Sequence, residues 1–313
     1  MIAYIVRRLI STVPVMFIVA VCVFLLLHLA PGDPAAIMAG DNATPQNIAQ
    51  IRQKLGLDEP LWRQFMVWMT SLARGDLGES MFWRTSVSEL IGQRAEPTIS
   101  LALTTITFAV VIALTLGVIA AWKAGSAVDR FVMGFAVMGF SVPVFVVGYL
   151  LIYCFSIWLA WLPVQGYTPI EEGVGPWLRN LVLPSVTLGL AYVALIARIT
   201  RATMLDVLAE DYMRTARAKG VATRPMLLKH ALKNAAVPIV TVVGIGVALL
   251  IGGVVITETV FNISGIGRLV VDAIQRRDYP IIQGVIMLFS GIYVVVNLLV
   301  DLSYTFFDPR IRY

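Results

Sequence analysis

The side chains able to make or break bonds are few and scattered. Two histidines, His28 and His230, and two cysteines, Cys22 and Cys154, lie too far apart in the chain to read as a metal cluster. Both cysteines fall inside apolar runs, where they read as small buried hydrophobes rather than as a disulfide. No Gly-x-x-x-x-Gly-Lys-Ser/Thr phosphate loop occurs, nor any His-Glu-x-x-His or Gly-x-Ser-x-Gly run. No catalytic residue, metal ligand or bound cofactor is therefore assigned to this chain. What remains is the chemistry of charge and shape at helix ends, concentrated at Glu210, Asp211, Arg214, Thr215, Ala216 and Gly220. From Leu205 to Lys219 there is no proline or glycine, and Gly220 is a natural left-handed stop. Acidic and small residues dilute the basic ones, the pattern of a helix that docks closely on a protein. A helix held to the lipid surface by its Arg and Lys residues is the competing reading.

The elements that position this cluster are membrane spans. The 313 residues are 58% hydrophobic and only 14% charged, with a mean hydropathy of +0.83, whereas soluble domains carry roughly 25% charged residues. Six runs lack Asp, Glu, Lys and Arg altogether: 12–30, 99–121, 131–160, 181–197, 236–257 and 281–300. Each approaches or exceeds the ~20 residues that cross a bilayer core. An outer-membrane barrel is excluded, since its strands would alternate over roughly ten residues. Nineteen residues is long for a signal-peptide core, and His28-Leu29-Ala30-Pro31 lacks a small-x-small cleavage pattern.

Orientation follows from the basic residues. With the start of the chain inside, fourteen Lys and Arg fall in inner segments and four in the short outer ones, the remaining six lying in the long first loop, where the rule weakens. Both termini are then cytoplasmic. The net charge of +5 is a topology signal, and no nucleic-acid partner is expected.

Between the spans, residues 31–97 carry helical signals. Thr44 and Pro45 open a helix that Gly56 stops; a stripe of Leu61, Phe65, Trp68, Met69 and Leu72 follows Pro60; and Ser86 with Glu89 reads as a capping box opening a short helix toward Arg94. These helices are expected to lie over the bundle. The overlong third run is expected to bend near Pro143 and to turn that region inward, making Ser141 and Pro143 candidates for a translocation path, with plain packing of small residues equally favoured. Gly246, among the glycines of the fifth run, is a weaker path candidate for which helix packing is the favoured alternative. Glu258, Arg268, Asp272, Arg276, Arg277 and Asp278 fall in the outer loop between the last two runs, where contact with a partner and a solvated loop with internal ion pairs are equally favoured. Cytoplasmic residues 206–234 are helical on both sides of Gly220, with Pro225 starting a new short helix after Thr223.

The run from Glu210 to Gly220, followed by Lys229-His-Ala-Leu-Lys-Asn-Ala-Ala-Val-Pro238, resembles the coupling loop of ABC importer permeases of the dipeptide/oligopeptide/nickel family. Spaced runs agree from end to end: Arg7-Arg8-Leu9, Pro31-Gly-Asp-Pro34, Leu55-Gly-Leu-Asp58, Gly75-Asp-Leu-Gly78, Thr257-Glu-Thr-Val-Phe261, Gly265-Ile-Gly-Arg268, Arg277-Asp-Tyr-Pro280 and Asp308-Pro-Arg-Ile-Arg-Tyr313. Arg214, Thr215, Ala216 and Gly220 occupy the family's Glu-Ala-Ala-x-x-x-Gly positions, with Arg and Thr replacing its acid and first alanine.

The resemblance implies an all-α integral membrane protein, a six-transmembrane-helix bundle of ABC type I importer permease architecture with a helical extracytoplasmic segment. Residues 1–93 would form the first helix and that segment, 94–305 the permease domain with coupling loop 205–234, and 306–313 a cytoplasmic tail. It implies a bacterial inner-membrane subunit paired with a second homologous permease, two cytoplasmic ABC ATPases that bind ATP and Mg, and an extracytoplasmic substrate-binding protein. Glu258, Arg268 and Arg277 become candidates for contact with that binding protein. Di- or oligopeptides or related small solutes would be the cargo, nickel the alternative. A secondary transporter would want internal repeats and mid-membrane charges, neither of which is apparent.

Overall fold

A computed structural model describes residues 2–29, 33–39 and 44–307. Pro31, Gly32 and the ending Asp308–Tyr313, which carries most of the expected tail, lie outside the described residues. The described chain is helical: α1 (Ile2–Leu29), α2 (Pro34–Ala39), α3 (Pro45–Leu55), α4 (Leu61–Ala73), α5 (Val87–Trp122), α6 (Ala127–Ser141), α7 (Val144–Leu151), α8 (Val174–Ala209), α9 (Asp211–Ala218), α10 (Ala236–Val260), α11 (Ile266–Arg276) and α12 (Tyr279–Phe307). A π-helical turn, Ile152–Trp158, prolongs α7, and a second, Met226–Ala231, links α9 toward α10. Among the described residues five helices are long and apolar enough to cross a membrane, or six if the bent pair of α6 with α7 and its π-turn is one span.

The chain divides into two compact units. One takes residues 1–95 and 268–294. Within it α3 begins and ends as its sequence dictates: Thr44 Oγ1 accepts from the Asn47 N–H, Pro45 fills the first helical position, and Gly56 closes the helix at φ 66°. On α4 the rings of Phe65 and Trp68 meet Phe24 of α1 at centroid separations of 5.3 and 6.1 Å, which half-buries the apolar stripe read from the sequence and leaves Leu61 at its start exposed. The expected capping box at Ser86 opens no short helix. The residue after it, Val87, begins α5, 36 residues long, which runs through Pro97. A proline inside a helix forfeits about 3 kcal/mol, but Val87, Leu90 and Leu101 on either side are all buried, and packing of this kind outweighs propensity.

The other unit takes residues 96–267 and 295–313 and is organised around α8. This helix buries Leu181, Leu188, Val193, Ile196 and Ala197 against α6, α7 and α10. Glycines permit the close approaches. A methyl group on Gly117 would lie 2.6 Å from the Thr200 Cβ and 2.9 Å from the Ala197 carbonyl oxygen; one on Gly244 would collide with Val300. The sequence reading placed a span at 181–197, whereas α8 extends twelve residues further. Arg198 and Arg201 end the apolar run without ending the helix, since arginine is a good helix former. The 36 residues reach ~54 Å at 1.5 Å per residue, well beyond a ~30 Å hydrocarbon core.

The expected bend in the third run is a full break. Val142 is extended (φ −92°, ψ 126°), as the residue before proline prefers, and Pro143 restarts the chain as the cap of α7. The two segments meet at 106°. Cys154 is half-buried, but Cys22 faces outward from α1, contrary to the buried reading.

Candidate functional site

The inner loop is built from a hinge, a plug and a stop. The hinge is Glu210, whose extended backbone (φ −65°, ψ 147°) separates α8 from α9, so the continuous helix expected from Leu205 to Lys219 is broken there. The plug is Met213, 2% exposed, which packs with Met204, Met226, Leu227, Ala231, Ala235 and Ile239. The stop is Gly220 at φ 77°. Its N–H donates to the Arg217 carbonyl and the next N–H, of Val221, donates to Ala216. Those two bonds satisfy the carbonyls left open at a helix end in the Schellman arrangement. No atom lies within 4 Å of where a Gly220 Cβ would stand, so the demand for glycine here is conformational.

With Met213 turned inward, α9 presents Asp211, Arg214, Thr215 and Arg217 to the surface and leaves Ala216 half-buried. Arg214 pairs with Asp211 at 3.5 Å on this exposed face, and the Thr215 hydroxyl donates back to the Asp211 carbonyl. Glu210 is exposed at the hinge. The Tyr212 phenol is held above its ordinary pKa, first by burial and then by the Glu210 charge, with an Asn234 hydrogen bond opposing; it is a neutral phenol at physiological pH. The next helical stretch starts at Thr223 after Ala222, so Pro225 sits at its third residue rather than its first. Sequence reasoning missed Met213, whose signal was present: a lone large apolar residue on an otherwise polar eight-residue helix.

A second missed feature braces the helix leading to this loop. Arg201 of α8 reaches the carboxylate of Asp129 with both Nε and Nη2, at 2.5 and 2.6 Å. Asp129 also accepts from the Gly125 N–H at 2.9 Å and is 3% exposed. The turn after α5 is thereby fastened to α8 by a bidentate, charge-assisted contact.

The path candidates are placed differently from one another. Ser141 and Pro143 are exposed at the 106° break, where the serine hydroxyl donates to the Val137 carbonyl. Gly246 is buried in α10, with room for ordinary contact to Tyr192.

The outer candidates need correction. Glu258 is wholly buried in the last turn of α10 rather than in a solvated loop. Its Oε1 accepts from the Thr98 hydroxyl at 2.6 Å, and the Thr98 oxygen accepts from the Ile266 N–H at 2.8 Å. A side chain at Gly265 would collide with the Glu258 carboxylate and one at Gly267 with the Val255 backbone, which explains why this run needs glycine. Glu258 is thus a fastening for the turn into α11. Arg268 is half-buried in the first turn of α11, and Arg277 is exposed just beyond its end. Asp278, also read as loop surface, is 1% exposed and accepts from the Ser80 hydroxyl at 2.5 Å and from the Met81 and Phe82 N–H groups at 3.2 and 3.1 Å.

Comparison with known proteins gives this arrangement its context. The profile of the family described as binding-protein-dependent transport system inner membrane component matches residues 113–313, and that family's N-terminal profile matches residues 1–102. The chain is 60% identical over 310 residues to the probable peptide ABC transporter permease protein y4tP of Sinorhizobium fredii, covering 99% of each. It is 46% identical over 313 residues, all of both chains, to the glutathione transport system permease protein GsiC of Escherichia coli K12. In fold it matches a chain of the MetNI methionine ABC transporter in an inward-facing conformation, with a TM-score of 0.58 at 17% identity over 71% of this chain and 97% of that one. The chain belongs to the family of inner-membrane components of binding-protein-dependent transport systems.

Proposed function

We propose that this chain is the permease subunit of an ABC importer and that, with a second permease, it forms the translocation path for di- or oligopeptides or glutathione-like molecules. The observation that carries the reading is full-length similarity to peptide and glutathione permeases, 60% and 46% identical. Two cytoplasmic ATPases would supply the energy, α9 being the element they push, and an extracytoplasmic binding protein would deliver cargo. The absence of a phosphate-loop motif in the sequence supports assigning nucleotide hydrolysis to those partners. Rigid-body motion of packed helices would then carry the loop's displacement to the membrane. Both termini would be cytoplasmic, as the basic residues suggest.

The test is ATP-dependent accumulation of labelled dipeptide, tripeptide and glutathione in proteoliposomes containing this chain, its companion permease, the ATPases and the binding protein. Accumulation of one of them is the expected result. Transport of nickel instead would move the substrate class, and peptide uptake without the ATPases would favour a secondary transporter.

A further inference from the structure

Residues 79–86 fold into a small hairpin just ahead of α5. An isolated antiparallel bridge joins Glu79 to Ser86, and the Ser80 N–H donates to the Thr85 carbonyl at 2.9 Å. The tip is Met81-Phe82-Trp83-Arg84. Its backbone is held from inside: Asp278 takes two of its N–H groups, and the Ser80 hydroxyl oxygen accepts from the Trp83 N–H at 2.9 Å. A buried carboxylate therefore organises the tip.

What the tip shows to solvent is aromatic and basic. Phe82 is 57% exposed, and the Arg276 guanidinium lies 3.9 Å from its ring centre and 5.4 Å from that of Trp83. Arg84 and Arg277 are exposed beside them in the chain, with Glu79 the exposed acid at the hairpin base. Both of those arginines stand in the left-handed region, Arg84 at φ 52° and Arg277 at φ 58°. Glycine or asparagine would adopt that backbone more easily. Strained residues of this kind cluster at functional sites because a side chain is wanted where the backbone disfavours it.

The geometry points to this tip, Phe82, Trp83 and Arg84 with Arg276 and Arg277, as a docking point for an acidic face of the extracytoplasmic binding protein. The inference rests on the importer reading and its orientation, which puts residues 31–97 outside. Stacked aromatic and arginine side chains are the residue types that dominate binding energy at protein interfaces. Three arginines outnumber Glu79 and the buried Asp278, which fits an acidic partner, and complementary charge of this sort speeds encounter. An anionic lipid head group is the other occupant this chemistry suits. It is less favoured because the tip is a pre-shaped hairpin rather than a flat amphipathic face.

The experiment uses the assembled transporter in nanodiscs and reads the concentration of binding protein that half-maximally stimulates ATP hydrolysis. Phe82→Ala and Arg84→Gly are each expected to raise it about thirtyfold, the threshold of a hot-spot truncation, and 0.5 M salt is expected to raise the wild-type value. Arg84→Gly relieves backbone strain, so a purely structural role predicts an unchanged value and equal or better recovery of the complex. An unchanged half-maximal concentration in both variants overturns the inference. So does an effect seen only when anionic lipid is present and lost in pure phosphatidylcholine, which would assign the tip to head groups. Failure of the binding protein to stimulate the wild type at all would instead overturn the importer reading.

Discussion

Two carboxylates show what a sequence hides at the scale of single residues. Glu258 and Asp278 lie just past or before apolar runs and read as loop surface, yet both are buried and each fastens a turn. Their partners, Thr98 and Ser80, are 160 and 198 residues away in the chain, beyond the reach of periodicity or local capping rules. Gly220 was legible because its reason is local: a left-handed stop followed by a polar turn. Asparagine tolerates that backbone and valine does not, so Gly220→Asn should retain more uptake than Gly220→Val, which carries a cost on the order of 1 kcal/mol. Equal uptake by the two variants would remove the conformational explanation. The Asp129–Arg201 contact makes a second prediction. Asp129→Asn should lower the thermal unfolding midpoint of the purified chain, with about 1.5–3 kcal/mol as an upper range for charged hydrogen bonds because Arg201 is partly exposed. Exchanging the two residues should recover part of that loss, and no recovery would mean that the contact is incidental.

Among the elements, apolar runs located the spans well because lipid imposes length and composition directly. Their ends were misjudged wherever a helix outlasts its apolar stretch. Arg198, Arg201 and Asp206 mark where α8 leaves the apolar core, and only the packing of Met204 and Met213 below reveals that the helix continues and then hinges. The contact between α5 and α8 is testable through its glycine. Gly117→Ala drives a methyl group toward a backbone carbonyl and should destabilise by about 1–3 kcal/mol. Gly134→Ala meets nothing within 4 Å and should be neutral or mildly stabilising. The same thermal midpoint discriminates them, and a similar response from both would refute the close approach. The α9 face admits a parallel test. Ala216→Trp adds bulk where an ATPase would dock and should reduce co-purification of the ATPases while the chain still inserts. Full co-purification together with normal uptake would return α9 to the lipid-surface reading.

The molecule as a whole is ordered by where its charges cannot go. If the bent pair of α6 and α7 is one span, the six crossings put the segment between the first two spans and the α9 loop on opposite sides of the membrane, whichever way the chain is inserted. Eight basic residues between Arg198 and Lys233 bias that loop inward, because positive charge near span ends is retained in the cytoplasm. The prediction is made sharp by two exposed positions, Glu59 and Arg217. In a background with Cys22 and Cys154 replaced, Glu59→Cys should react with a membrane-impermeant thiol reagent added to intact spheroplasts, and Arg217→Cys should react only after lysis. The opposite pattern would invert the protein, put the hairpin tip in the cytoplasm and deny α9 to cytoplasmic ATPases. Reaction of both before lysis would mean that one of the six crossings is a re-entrant segment, and the 106° break between α6 and α7 is the place where such a segment would form.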